Sequence, residues 1–117
     1  MKILIDVAEQ TIRATLHDNS AAAKDFYQLL PLELTLGDYA GIEKVSDLPS
    51  KLNTKGEPLG VAAQAGDLTY YAPWGNLAYF IKDFKFASGL VSLGQVHEGL
   101  ELLNAAGDIP VTIRKAS

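Results

Sequence analysis

The feature that most constrains this chain is a hydrophobic repeat of two, met again and again in short stretches. In "KILIDV" Ile3, Ile5 and Val7 share a face, and in "TIRATL" Ile12, Ala14 and Leu16 do. Side chains that alternate in this way fit a strand with one face on a core and the other in water. "AEQ" is a short connection, so residues 2–16 read as a hairpin. "PLELTLGDY" alternates through Leu32, Leu34 and Leu36 with Glu33 and Thr35 outward, and "GIEKVSDLP" supplies a partner strand after a turn at Asp38 to Gly41. "DLTYY", "NLAYFI", "GLVSLGQV" and "PVTIRK" complete about eight strands, the pattern of a mainly β barrel or sandwich. At 117 residues, with no repeat or low-complexity tract, residues 1–117 read as one domain.

Two segments switch to a helical period. "NSAAAKDFYQLLP" puts Ala23, Phe26, Tyr27 and Leu30 on one stripe, with Asn19 as the N-cap and Pro31 as the stop. "HEGLELLNAAG" aligns Val96, Leu100 and Leu103, turns Glu98 and Glu101 outward, and offers Gly107 as the left-handed residue past its end. Helices this short need something to cover. The open ends of a small barrel are the natural targets. Between them lies "PSKLNTKGEPLG", residues 49–60, longer than the usual connection of about 4–6 residues. It reads either as a lid or as a solvated crossover.

Charge and composition remove several functions. The net charge is −4 with both signs interleaved, and the only arginines are Arg13 and Arg114, so no basic stripe exists for nucleic acid. Without cysteine there is no disulfide, thiol nucleophile or thiolate metal site. No apolar run approaches the roughly 20 residues of a membrane span, and "MKILIDVAEQ" is too short in apolar length for a signal segment. The expectation is a cytoplasmic protein, conditional on no leader having been removed. His17 and His97 lack metal-ligand spacing. Ser20 and Asp18 stand beside His17, but adjacency in sequence is not triad geometry, and Asn19–Ser20 is explained by helix capping. Glu43, Asp47 and Asp67 could act together only by converging in space. No cofactor or metal is implied.

Six of the ten aromatic residues fall between Gly66 and Phe84. "APWG" is a turn with Pro73 second and Gly75 last, joining "DLTYY" to "NLAYFI". Alternation puts Leu68, Tyr70, Leu77 and Tyr79 on one face and Thr69, Tyr71, Ala78 and Phe80 on the other. The second face has two readings. Either the helices or the 49–60 loop bury it, or Tyr71, Trp74, Ala78 and Phe80 line an apolar groove on the outer wall.

"GDLTYYAPWGNLAYFI", "GLVSLGQVHEGLELL" and the final "VTIRK" resemble the second half of a cyclophilin. The order of elements is most similar to small prokaryotic cyclophilin-like proteins, whose members mostly lack an assigned function. The resemblance implies a closed eight-stranded β-barrel with two short capping helices. It also implies a groove on the outer barrel wall, with Phe80 as pocket phenylalanine and Tyr71 and Ala72 near the segment that pairs with bound peptide. Ala78 stands in place of a polar groove residue and Leu90 in place of a groove histidine. No arginine lies between Arg13 and Arg114, whereas cyclophilins aim a guanidinium at the prolyl nitrogen as the amide twists. Lys44 could supply charge but not a planar fork. The expectation is therefore a module that binds a peptide or small apolar ligand through Tyr71, Ala72, Trp74, Ala78, Phe80 and Leu90, without catalysis. Peptidyl-prolyl isomerisation is the alternative, and a homodimer interface is a further one.

Overall fold

The computed structural model describes residues 1–116. In chain order the elements are β1 (Lys2–Val7), β2 (Gln10–Leu16), α1 (Ala21–Leu29), β3 (Leu32–Tyr39), β4 (Glu43–Asp47), β5 (Gly60–Ala63) and β6 (Asp67–Tyr71). Next come β7 (Asn76–Phe80), β8 (Phe84–Ser88), β9 (Leu90–Glu98), α2 (Leu100–Leu103) and β10 (Ile109–Lys115). Eight strands close into a barrel in the order β1-β10-β3-β4-β7-β6-β9-β2, and β5 and β8 pair as a separate two-stranded ribbon. The barrel strands are those that the alternating stretches specify. Every neighbouring pair is antiparallel, which allows one wet and one dry face per strand.

The dry faces fill the barrel. Ile3, Ile5, Ile12, Leu16, Leu68, Tyr70, Leu77, Tyr79, Leu93 and Ile113 are essentially inaccessible and form one cluster. Each large side chain buried there contributes about 1.5–3 kcal/mol. Helix α1 adds Ala22, Ala23 and Phe26 to the same cluster. Its N-cap is Ser20 rather than Asn19: the Ser20 Oγ accepts the Ala23 N–H at 3.0 Å and donates to Glu57 Oε2 at 2.9 Å. Either residue type can cap, and the serine also gains the bond to Glu57.

The second helix is one turn, not the longer one that the periodicity suggests. Strand β9 stays paired with β2 as far as Glu98, opposite Arg13, so Val96 and His97 are held extended. Gly107 is left-handed, with φ +88°, but lies beyond the helix's C-cap, Asn104. It belongs to the loop before β10.

Residues 49–60 are a largely exposed crossover rather than a free lid, and they are pinned at Leu52. Leu52 is buried in the barrel cluster and its N–H donates to the Tyr70 hydroxyl at 3.2 Å. Asn53 N–H donates to Asp25 Oδ2 of α1 at 2.7 Å. The segment is a plug tied to both the barrel end and the helix.

The β5–β8 ribbon is absent from the sequence reading. An isolated two-stranded ribbon is marginal in water, and this one lies against the outer barrel wall. Ala63 of β5 joins Ala78, Phe80 and Leu90 in a second small buried cluster, with Val45, Val61, Tyr71, Phe84 and Ala87 packed against it. The ribbon, rather than the helices or the 49–60 segment, covers the second face of the aromatic hairpin.

Candidate functional site

Register builds the outer wall in rows. Antiparallel partners point to the same side of the sheet. One row runs Asp47, Asn76, Tyr71, Leu90 across β4, β7, β6 and β9. Another runs Tyr39, Glu43, Phe80 across β3, β4 and β7. The row between them holds the small residues Val45, Ala78, Thr69 and Ser92. Large rows either side of a small one leave a depression, and the ribbon walls it with Phe84 and Ala87. The result is a partly open cavity of about 220 Å³.

The aromatic side chains that remain accessible stand at its mouth. Trp74, on the turn between β6 and β7, is 62% exposed. Its ring meets Tyr71 at 5.3 Å and Tyr39 at 5.7 Å between centroids, nearly perpendicular to each. This edge-to-face chain joins the two large rows. Phe80, itself buried, stacks on Phe84 of the ribbon at 5.8 Å.

Tyr71, Trp74, Phe80 and Leu90 are thus brought together around one cavity. Ala78 is wholly buried beneath the ribbon and forms no part of the cavity's lining. Ala72 is not at the cavity: it packs toward the barrel interior, and its N–H donates to the Gly89 carbonyl at 2.9 Å. Sequence reasoning passes over Tyr39, Asn76, Phe84 and Ala87 as site residues. It names Glu43 only among acids awaiting a partner. Alternation within β4 marks Glu43 and Val45 as one face, but only the β4–β7 pairing brings that face beside Phe80.

Charge in the cavity has one sign. Glu43 lines it, and burial pushes its carboxyl above the ordinary glutamate range. Lys44, the neighbouring cation, points the other way: its side chain is fully buried, and its Nζ lies 2.6 Å from both Asp38 Oδ1 and the Gly107 carbonyl. The expectation that Lys44 could charge the groove is overturned, because strand alternation turns it inward beside Tyr79. Arg13 pairs with Glu98, and Arg114 with Asp6. Neither arginine lines the cavity. His17 and His97 lie against Ser92 and Thr15 hydroxyls respectively, and neither reaches the cavity. Among the described residues no three acidic or histidine side chains converge as metal ligands, and no helix is long and apolar enough to cross a membrane.

A folded-state carboxyl that holds its proton more tightly than the unfolded one costs stability once both are ionised. Glu43→Gln is therefore expected to raise the thermal midpoint at neutral pH. The advantage should shrink as pH falls through the raised folded value towards about 4.5, where the native glutamate takes up its proton and the cost disappears. Paired melting curves from about pH 4 to 8 check this. A pH-independent difference would show that the Glu43 charge is not desolvated.

A family model described as the cyclophilin-like family matches residues 5–114. Among curated proteins nothing matches. The solution structure of a hypothetical protein from Archaeoglobus fulgidus is similar in fold, with a TM-score of 0.68 at 18% identity. The likeness covers 99% of this chain and 95% of that one.

Proposed function

The chain belongs to the cyclophilin-like family, and from that premise we propose that it is a binding module taking a peptide segment or small apolar ligand on its outer barrel wall. The observation that carries this reading is the cavity between β4, β7, β6 and the ribbon, with Trp74 exposed at its mouth. Exposed aromatic side chains beside an apolar concavity are the usual anchors of recognition. Size limits the occupant. Drug-sized ligands occupy roughly 300–1,000 Å³, so a cavity of about 220 Å³ suits one side chain or one ring.

The missing guanidinium argues for binding without isomerisation. Twisting an X-Pro bond meets a barrier of about 18–20 kcal/mol, which a cation aimed at the prolyl nitrogen lowers by favouring the twisted amide. The cavity's described lining supplies a carboxylate instead. Titrating the labelled protein with short proline-containing peptides, followed by amide chemical shifts, tests the proposal. Shifts are expected at Tyr71, Trp74 and Leu90, weakened several-fold by Trp74→Ala, with no faster cis–trans exchange of the peptide. Acceleration of that exchange would make the protein an isomerase. Phe80→Ala is a poor probe, since truncating a buried phenylalanine costs about 3–5 kcal/mol of stability.

A second reading has an observation of its own. Tyr39, Trp74, Leu59 and Phe86 are large, apolar and exposed, and such surfaces self-associate. Light scattering over a wide concentration range separates the two: a constant monomer mass removes the homodimer reading.

A further inference from the structure

If the outer wall binds a ligand, the polar groups of the cavity specify that ligand's chemistry, and the assignment rests on the binding role. Among the described residues, the one fully buried side-chain polar atom there without a partner is an acceptor. Asn76 is 5% exposed and lines the cavity, and its Oδ1 has no hydrogen-bond partner. The amide is not free to turn over, because its Nδ2 donates to the Leu77 carbonyl at 3.1 Å and a flipped oxygen would face that carbonyl. A buried acceptor left unmatched is costly, so a donor arriving there is favoured. In the other large row stands Glu43, flanked in register by Tyr39 and Phe80. Among the described residues no cation pairs with it.

We propose that this cavity takes an organic ammonium: an apolar body carrying a positively charged amine, seated with the amine beside Glu43 and under the Tyr39 and Trp74 rings. Three features agree on that chemistry. The carboxylate supplies charge complementarity. Electron-rich faces of Trp74, Tyr39 and Tyr71 attract a cation within about 6 Å. The apolar lining and the half-buried setting of Glu43 lower the local polarity, which strengthens both attractions. An anionic ligand would meet the like charge of Glu43, with no cation among the described lining residues to offset it. A neutral apolar ligand would leave Glu43 desolvated without compensation. That burial raises the Glu43 carboxyl with no cation to lower it again fits a site waiting for its countercharge.

The amine could belong to a free small molecule or to a lysine side chain, and two matched pairs distinguish these sources. Phenethylammonium is compared with 2-phenylethanol, and N-acetyl-lysine N-methylamide with its norleucine counterpart, by amide-shift titration near neutral pH. In at least one pair the ammonium should bind roughly tenfold more tightly than its neutral partner. Glu43→Gln should reduce that preference to within about twofold, and Trp74→Leu should weaken the ammonium more than the neutral compound. The pair that shows the preference identifies the source. Should neutral compounds bind as well as or better than the amines, the ammonium assignment is overturned while the groove stands. Should no compound, amine or peptide, shift the cavity's amides, both fall together.

Discussion

Gly94→Ala is expected to destabilise the protein more than any other glycine replacement on the barrel strands. Strand β9 crosses β2 so closely that a Cβ on Gly94 would lie 2.0 Å from the Thr15 carbonyl oxygen and 2.8 Å from the Leu16 Cα. These are backbone atoms of a hydrogen-bonded neighbour, so no rotamer change relieves the contact. Either β9 separates from β2 or the barrel opens. Inserting one carbon into a packed core usually costs about 1–3 kcal/mol, and a clash with a strand's backbone belongs at or above the top of that range. Whole domains are stable by only about 5–15 kcal/mol. The corresponding fall in thermal midpoint is about 10–20 °C. Gly41→Ala is the control. Gly41 adopts φ +69° but has open space around its Cβ position, so alanine there should cost no more than about 1–2 kcal/mol. Equal losses at the two positions would mean that strand approach at Gly94 is not the cause.

The second large effect is expected at Lys44. Its ammonium closes a three-membered knot: Nζ to Asp38 Oδ1, Nζ to the Gly107 carbonyl, and Gly107 N–H to Asp38 Oδ2 at 2.8 Å. The knot ties β3 and β4 to the loop before β10. Lys44→Ala removes the cation, strands the Gly107 carbonyl and empties the space of a fully buried stem. Asp38 is half exposed and stays solvated when the cation goes, so the loss comes mainly from truncating the buried stem, which typically costs about 2–5 kcal/mol. Lys44→Met keeps the stem's volume and should lose roughly half as much. Urea midpoints with unchanged slope measure both. Acid supplies a further check. Lys44, and after it the Gly107 N–H, hold the Asp38 carboxyl below the ordinary aspartate range. The folded state thus binds its proton less readily than the unfolded state does. The stability so gained is present above the unfolded value near 4 and is lost as pH falls through the folded one. The gap between wild type and Lys44→Met should narrow over that interval. If methionine proves as damaging as alanine, the ion pair rather than packing is at fault.

Local pattern carried much of the fold. Alternation such as Ile3–Ile5–Val7 and Leu77–Tyr79 marks strands because a pleated chain sorts its side chains to two sides, and a closed barrel needs every strand to do so. The same rule separates Tyr70 and Tyr79, which fill the barrel, from Tyr71 and Phe80, which lie outside it. The family resemblance rests chiefly on the stretches from Gly66 onward, and the family match spans residues 5–114. Weaker patterns misled. "EGLELL" has helical spacing, yet the ladder between β9 and β2 continues to Glu98 and leaves a single turn. The ribbon strands "GVAA" and "FKFAS" are short and without clean alternation, so nothing local announces them.

By itself, then, the sequence determined which residues of each strand face inward, since period and turn residues act over a few neighbours, while closure into a barrel rather than a sandwich came from the family resemblance. Only the tertiary structure decided what meets on the outside. Tyr39, Glu43, Trp74, Asn76 and Phe84 come from separate stretches of chain, and long-range register alone places them around one cavity. Lys44 shows the same division: its charge is plain in the sequence, but whether it enters the groove or the barrel depends on a one-residue choice of face. Pairing between distant strands makes that choice, because a shift of one residue would put every side chain of β4 on the opposite side.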